Sequence, residues 1–362
     1  MGARSRPSQK QVAARLGLSA AAVSNILRGK GRFAEETRQR VLQELEQAGY
    51  QPRYRRQPIL YFGLRTSTPD PLHVLPTFAV LTGLGAESLS EGIEWRADFL
   101  PGYDRGSAPP WPDAAAQLDA RVAAHRPCGV LVDTGMYHAR AFARRLRQAK
   151  IPAVLMGHEI DVDGDPAVLV DSFGGAYDAT ARLIHHGHRR IGLLRWNTAV
   201  VSNAAKKFAG YRCALDAHGV PFAPECVLES HSSRGALNQP RQRLGRDAFD
   251  RLLVQCGRTP PTAVLVENSF ISDSLLYPLR EDRGRIPERL AKTVFVHFED
   301  SPLSILESIM SDNLNYPRPN VAVCRIDWEK LGRSAVQLLL QMLCHGGAGG
   351  RVMNLKPEIV DM

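Results

Sequence analysis

No stretch of the chain approaches the roughly 20 consecutive apolar residues that a membrane helix requires, so neither a span nor a membrane partner is expected. The first ten residues, MGARSRPSQK, contain no apolar core of a secretory signal. MGARSR fits the N-myristoylation pattern at Gly2 only loosely. The six cysteines (Cys128, Cys213, Cys226, Cys256, Cys324 and Cys344) are scattered and form no C-x-x-C pair. That excludes a zinc ribbon or disulfide frame and predicts buried, reduced thiols in a cytoplasmic protein. His185, His186 and His188 form the one histidine cluster. With no acidic or thiol group at ligand spacing they read as a helix end, and neither a metal nor a cofactor is expected. Catalytic motifs are missing as well: there is no P-loop, no G-x-S-x-G, no H-E-x-x-H and no acid/base pair. The glycines of GLGAES are too few for a dinucleotide fingerprint and lie on a helix. An enzyme is not expected.

What is present is a polarised distribution of charge. The net charge is +9, yet residues 1–58 hold 12 Lys/Arg against 4 Asp/Glu, leaving the rest almost neutral. Release of counterions from DNA phosphates rewards a basic segment of this kind. Within it, QVAARLGLSAAAVSNILR (Gln11 to Arg28) has the form of a helix-turn-helix. Val12, Ala13 and Leu16 share one face of a first helix. Gly17 can take the positive φ that ends it, and Ser19 is a good N-cap for the second helix. Val23, Ile26 and Leu27 would point inward, leaving Ala20, Ala21, Ser24, Asn25 and Arg28 on or near an outer face. An ordinary helical hairpin would carry the same local pattern; the charge favours a reader of the major groove. Ser8 is expected to cap the first helix. A third helix is expected from Glu35 to Ala48, with Val41, Leu42 and Leu45 buried, before the basic linker RYRRQP.

With 362 residues, 44% of them hydrophobic and 23% charged, the chain suits two or three soluble domains. From Ile59 onward, short apolar strands alternate with helices: ILYFGLR, Trp95 to Leu100, CGVLVD and PAVLMG are strands. The series restarts with Ala167 to Asp171, then RIGLLRW, a strand near Val227, TAVLVEN and TVFVHF, with a helix through Asp273 to Arg283. Strands that are apolar on both faces belong to covered parallel sheets, and two sets of this size predict two α/β lobes. Ligands in such folds lie beyond the carboxyl ends of the strands, which makes the cleft between lobes the natural pocket.

At this point the chain resembles the LacI/GalR family of bacterial transcription regulators over nearly its full length. The resemblance rests on VAARLGLSAAAVSNILRG and TRQRVLQELEQAGYQP in the head. In the body it rests on VDSFGGAYDATARLIHHGHRRIGLL, KKFAGYRCALDAHGV, PTAVLVEN, GRIPERLAKTVFVHFED, IDWEKLGRSAVQLLLQML and LKPEIV, in the expected order. It implies an all-α helix-turn-helix head on an α/β two-lobed body like a periplasmic sugar-binding protein, built from two parallel-sheet, Rossmann-like subdomains. The expected domains are the head (1–52), a short basic linker with the hinge helix reduced or absent (53–58), and an effector-binding and dimerisation body (59–362). Within the body, the N-lobe would span about 59–158 and 326–345, and the C-lobe about 159–325 and 346–362. The implied partners are a palindromic double-stranded DNA operator, a small-molecule effector (a sugar or other metabolite) and a second copy of the chain in a homodimer.

Three departures from the family pattern matter. The family's hinge helix is replaced by RYRRQP, where Pro58 disfavours helix just before it; Arg53, Arg55 and Arg56 would instead meet phosphate or a narrow minor groove. The family's base-reading positions fall on Ala20, Ala21 and Asn25. Alanine can touch only a thymine methyl, whereas Asn25 can pair with adenine in two places. Ser8, Lys10, Ser19, Ser24 and Arg28 would position the head on phosphates. In the pocket, Lys207 takes the place of a ligand-gripping arginine and Ser269 that of an aspartate, losing a planar fork and an acceptor pair. Asp133, His158, Arg195, Glu299 and the loop from Thr66 through Ser67 to Asp70 would complete the effector site. A solute-binding receptor, or a regulator whose pocket binds nothing, are the alternatives to an effector-controlled repressor.

Overall fold

The computed structural model describes residues 9–27, 33–47, 57–65, 71–101, 110–136, 138–197, 203–231, 241–268, 271–272, 275, 288–299, 321–345 and 350–361. Ser8, Arg28, Arg53, Arg55, Arg56, Thr66, Ser67 and Ser269 lie outside the described residues, as does most of the helix expected through Asp273 to Arg283.

Three helices form the head: α1 (Gln9–Leu16), α2 (Ala20–Leu27) and α3 (Glu35–Gln47). Val12, Ala13, Val23, Ile26, Val41 and Leu45 close its small core, with Leu16, Leu18, Ala20 and Phe33 packed at the rim. Gly17 sits at φ +68, as the turn requires of a residue without Cβ. Leu42, expected in the buried stripe of α3, is instead 43% exposed. On a helix of 3.6 residues per turn, Val41 and Leu45 share the face that meets α1 and α2, and a residue one step on from Val41 is turned 100° away.

The body begins with β1 (Ile59–Arg65), α4 (Pro71–Ser90), β2 (Trp95–Pro101), α5 (Trp111–His125), β3 (Gly129–Asp133), α6 (Ala139–Gln148), β4 (Ala153–Gly157) and β5 (Ala167–Val170). Next come α7 (Ser172–His185), β6 (Ile191–Asn197), α8 (Asn203–Ala217), β7 (Val227–His231), α9 (Arg241–Cys256), β8 (Ala263–Val266) and β9 (Val294–Glu299). The chain ends with β10 (Val321–Arg325), α10 (Trp328–His345), β11 (Val352–Leu355) and β12 (Glu358–Asp361). One sheet has the order β11-β5-β4-β3-β1-β2 and the other β12-β10-β9-β8-β6-β7. All pairings are parallel except that of β10 with β12.

Both faces of each sheet are covered, for a reason visible along β1. Ile59 and Tyr61 point into the core beneath α4 and α10, whereas Leu60 and Phe62 point into the core beneath α5 and α6. With side chains alternating sides, a strand apolar at every position can only be satisfied between two layers of helix. Each large apolar side chain buried this way contributes roughly 1.5–3 kcal/mol.

The lobe boundaries differ from those expected. Ala167–Val170, expected to open the second lobe, pairs with β4 and with β11 in the first sheet. Val352–Leu355, expected in the C-lobe, therefore also belongs to the first. The chain crosses between lobes at Asp171, at Ile326–Asp327 and at Lys356–Pro357. Asp171 follows β5 directly and caps α7, its carboxylate accepting from the Gly174 amide at 2.7 Å, and α7 packs into the second lobe. An apolar run states that it is a strand, not which sheet it joins.

Of the thiols expected to be buried, Cys128, Cys226, Cys256 and Cys324 are, but Cys213 on α8 is exposed and Cys344 is half-buried. Cys226 and Cys256, 30 residues apart, bring their sulfurs to 3.6 Å. Burial, then the neighbouring thiol, pushes Cys226 up to about 12, so its thiol stays protonated. The histidine cluster does mark a helix end: α7 closes at His185, with His186 at its C-cap.

Candidate functional site

Two regions gather the expected site residues. The first is the outer face of the head. Ser19 caps α2, its hydroxyl accepting from the Ala22 amide at 3.0 Å while its carbonyl accepts from Val23 at 3.1 Å. This cap aims the helix N-terminus outward, beside exposed Ala21 and Asn25; Ala20 and Ser24 are half-buried and Lys10 of α1 is exposed. Because Val23 and Ile26 hold the opposite face in the core, Ala21 and Asn25, four residues apart, share one accessible stripe. Ser19→Ala removes the acceptor for the Ala22 amide, and a loss of about 1 kcal/mol in head stability is expected. Hydrogen exchange of the α2 amides measures it; unchanged protection would show that the cap contributes nothing.

The second region lies where the carboxyl ends of the two sheets meet. Asp133, at the end of β3, accepts from the Tyr61 hydroxyl at 2.9 Å and from the Gly135 amide at 2.7 Å. Burial, then the Asp133 carboxylate, pushes the Tyr61 phenol well above its ordinary range, so it stays a donor. At the end of β4, Gly157 takes φ +129, and a Cβ there would stand 2.6 Å from the Thr134 hydroxyl. That close approach lets Thr134 donate to the His158 carbonyl at 2.8 Å. The His158 ring then meets Trp328, at the start of α10, edge to face with centroids 5.1 Å apart.

Across from these, Arg195 on β6 donates to Glu229 at 2.6 Å and to the Ala204 carbonyl at 3.5 Å. Its Nε stands 3.8 Å from the Glu267 carboxylate, and the guanidinium lies 4.5 Å above the Phe208 ring. Lys207, the expected counterpart of a ligand-gripping arginine, is only 2% exposed. Its ammonium donates to the Glu267 carbonyl at 2.7 Å and lies 4.5 Å from the centroid of the Phe298 ring, inside the second lobe. Glu299 is the last residue of β9 and pairs with Arg325 of β10; its side chain is outside the described residues. The structure thus brings Asp133 and His158 to one side and Arg195 to the other, with Lys207 behind.

Sequence reasoning missed Tyr61, Asn203, Glu229, Glu267 and Trp328. Tyr61 and Trp328 sit in runs that read as core. Glu229 and Glu267 become notable only once strand pairing sets Arg195 beside Glu229. Among the described residues no group of three or more His, Cys, Asp or Glu could hold a metal ion. No described helix is long and apolar enough to cross a membrane.

The family profile described as "Periplasmic binding protein-like domain" matches residues 180–361. The chain is 25% identical over 355 residues to the HTH-type transcriptional regulator CelR of Thermobifida fusca, covering 95% of this chain and 94% of that one. Among solved structures, a transcriptional regulator CelR–cellobiose complex superposes with a TM-score of 0.60 at 21% identity, covering 98% of this chain and 99% of the other. The lac repressor dimer bound to operator and the anti-inducer ONPF gives a TM-score of 0.58 at 18% identity, with 98% of each chain covered.

Proposed function

The chain belongs to the LacI/GalR family of transcriptional regulators, and from that premise we propose that it is a cytoplasmic repressor controlled by a small molecule. It binds a palindromic DNA operator as a homodimer, and the effector occupies the cleft between the lobes. The observation that carries this reading is the capped α2 with Ala21 and Asn25 on one accessible face, in a basic head joined to a two-lobed body. An amide side chain at such a position can donate to adenine N7 and accept from N6. Asn25 is the base reader, with Ala20 and Ala21 against thymine methyls. Ser8, Lys10, Ser19, Ser24 and Arg28 position the head on phosphates, and Arg53, Arg55 and Arg56 follow the backbone or the minor groove between heads.

In the cleft, Asp133 and His158 face the effector from the first lobe and Arg195 from the second, and Thr66, Ser67, Ser269 and Glu299 are proposed as further effector contacts. Lys207 acts through the peptide of Glu267, holding the base of that wall. Two similar solved structures support a small-molecule ligand and an operator-bound dimer: one is a regulator–cellobiose complex, the other a repressor dimer bound to operator and anti-inducer.

Selection of bound duplexes from a random pool by the full-length protein tests the reading. Two half-sites at fixed spacing are the expected result; no enrichment would overturn it. Asn25→Ala should relax preference at one base pair per half-site by roughly 1–3 kcal/mol and leave the other positions as they were. An unaltered preference would remove Asn25 as a reader.

A further inference from the structure

Two side-chain contacts that join the lobes lie side by side. In the first lobe, His158 and Glu159 are consecutive residues just after β4; in the second, Asn203 and Lys206 lie three apart on the first turn of α8. Asn203 Nδ2 donates to His158 Nδ1 at 3.1 Å. Lys206 Nζ stands 3.2 Å from Glu159 Oε1. Residues three apart on a helix share a face, which lets one turn of α8 engage two successive residues of the facing segment.

Both anchorages are stiff. On the first-lobe side, Thr134 holds the His158 carbonyl and Trp328 packs against its ring. Trp328 is also the first residue of α10, directly after a crossing. On the second-lobe side, buried Lys207 and Tyr211 fix α8, the tyrosine hydroxyl donating to the Ile191 carbonyl at 2.8 Å. With both anchorages held in this way, a change in lobe arrangement strains or breaks these contacts.

We propose that Glu159–Lys206 and His158–Asn203 form a latch across the cleft that sets the resting equilibrium between lobe arrangements. It rests on the regulatory reading above and supplies its regulation. The latch biases the same two-state element that an effector biases, so its strength sets operator affinity before any effector binds. Glu159 and Lys206 carry opposite charges, so the contact depends on charge as well as on reach.

The test uses the full-length protein with Glu159→Gln, Lys206→Met and the exchange Glu159→Lys with Lys206→Glu. Operator affinity, on the duplex enriched by the wild type, and the radius of gyration in solution are both read without added ligand. Each single variant should move operator Kd in the same direction by about threefold, the size of a partly exposed ion pair, and raise the radius of gyration. The exchanged pair should return both toward wild type. Singles that match wild type in both readouts would overturn the latch, as would an exchange that worsens rather than restores. If the wild type enriches no duplex, the regulatory reading fails, whereas scattering still decides whether the latch holds the lobes.

Discussion

Lys207→Met is expected to lower the melting temperature of the body by roughly 6–12 °C, corresponding to about 3 kcal/mol in a domain of this size. Methionine keeps most of the volume, so lost packing is not the cause. The change leaves the buried Glu267 carbonyl without the donor now 2.7 Å away and removes the cation that lies 4.5 Å from the centroid of the Phe298 ring. An acceptor stripped of its partner inside a protein costs about 1–3 kcal/mol, and the lost contact of the cation with the ring adds to it. The neighbouring Lys206→Met is the control. Its side chain is 56% exposed, and a stability change within about 0.5 kcal/mol is expected there. Equal melting points for wild type and Lys207→Met would mean that the buried ammonium holds nothing in place.

Gly83→Val is expected to destabilise the first lobe by at least about 3 kcal/mol, the upper part of the range for overpacking. Helices α4 and α10 cross backbone to backbone. A Cβ at Gly83 would stand 1.9 Å from the Glu329 carbonyl oxygen, and one at Gly332 would stand 2.3 Å from that of Val80. Neither obstacle is the end of a flexible side chain, so α10 itself must move, disturbing its contacts with Leu131, Val154 and Met156 beneath it. Gly332→Val should cost a similar amount. The double variant should cost less than the two together, because helices already pushed apart accommodate the second Cβ. Urea unfolding of the three variants measures this; strict additivity would show that the glycines do not share one contact.

The difference between these glycines and Gly17 shows what local sequence can express. Gly17 was legible because a turn between two short helices needs a positive φ, and that need is written within four residues. Gly83 and Gly332 are nearly 250 positions apart, and nothing near either says that the other exists. The same holds in the cleft. Asp133, His158 and Arg195 could be placed near it because strand ends face a common edge in this architecture. Glu229 and Glu267 could not be joined to Arg195 without the strand pairing.

Much about this protein is therefore local and was set by sequence alone: the helix-turn-helix with its Ser19 cap, the basic head, and the alternation of apolar strands with helices in two lobes. Periodicity and capping act over one or two turns, so they can be read from neighbours in the chain. The tertiary structure alone decided that β5 and β11 join the first sheet, that Leu42 faces outward and that Lys207 is buried. It also decided that α8 meets the segment after β4 across the cleft. Each of those depends on contacts between residues far apart in sequence, where burial and charge pairing over the whole body outweigh local preference.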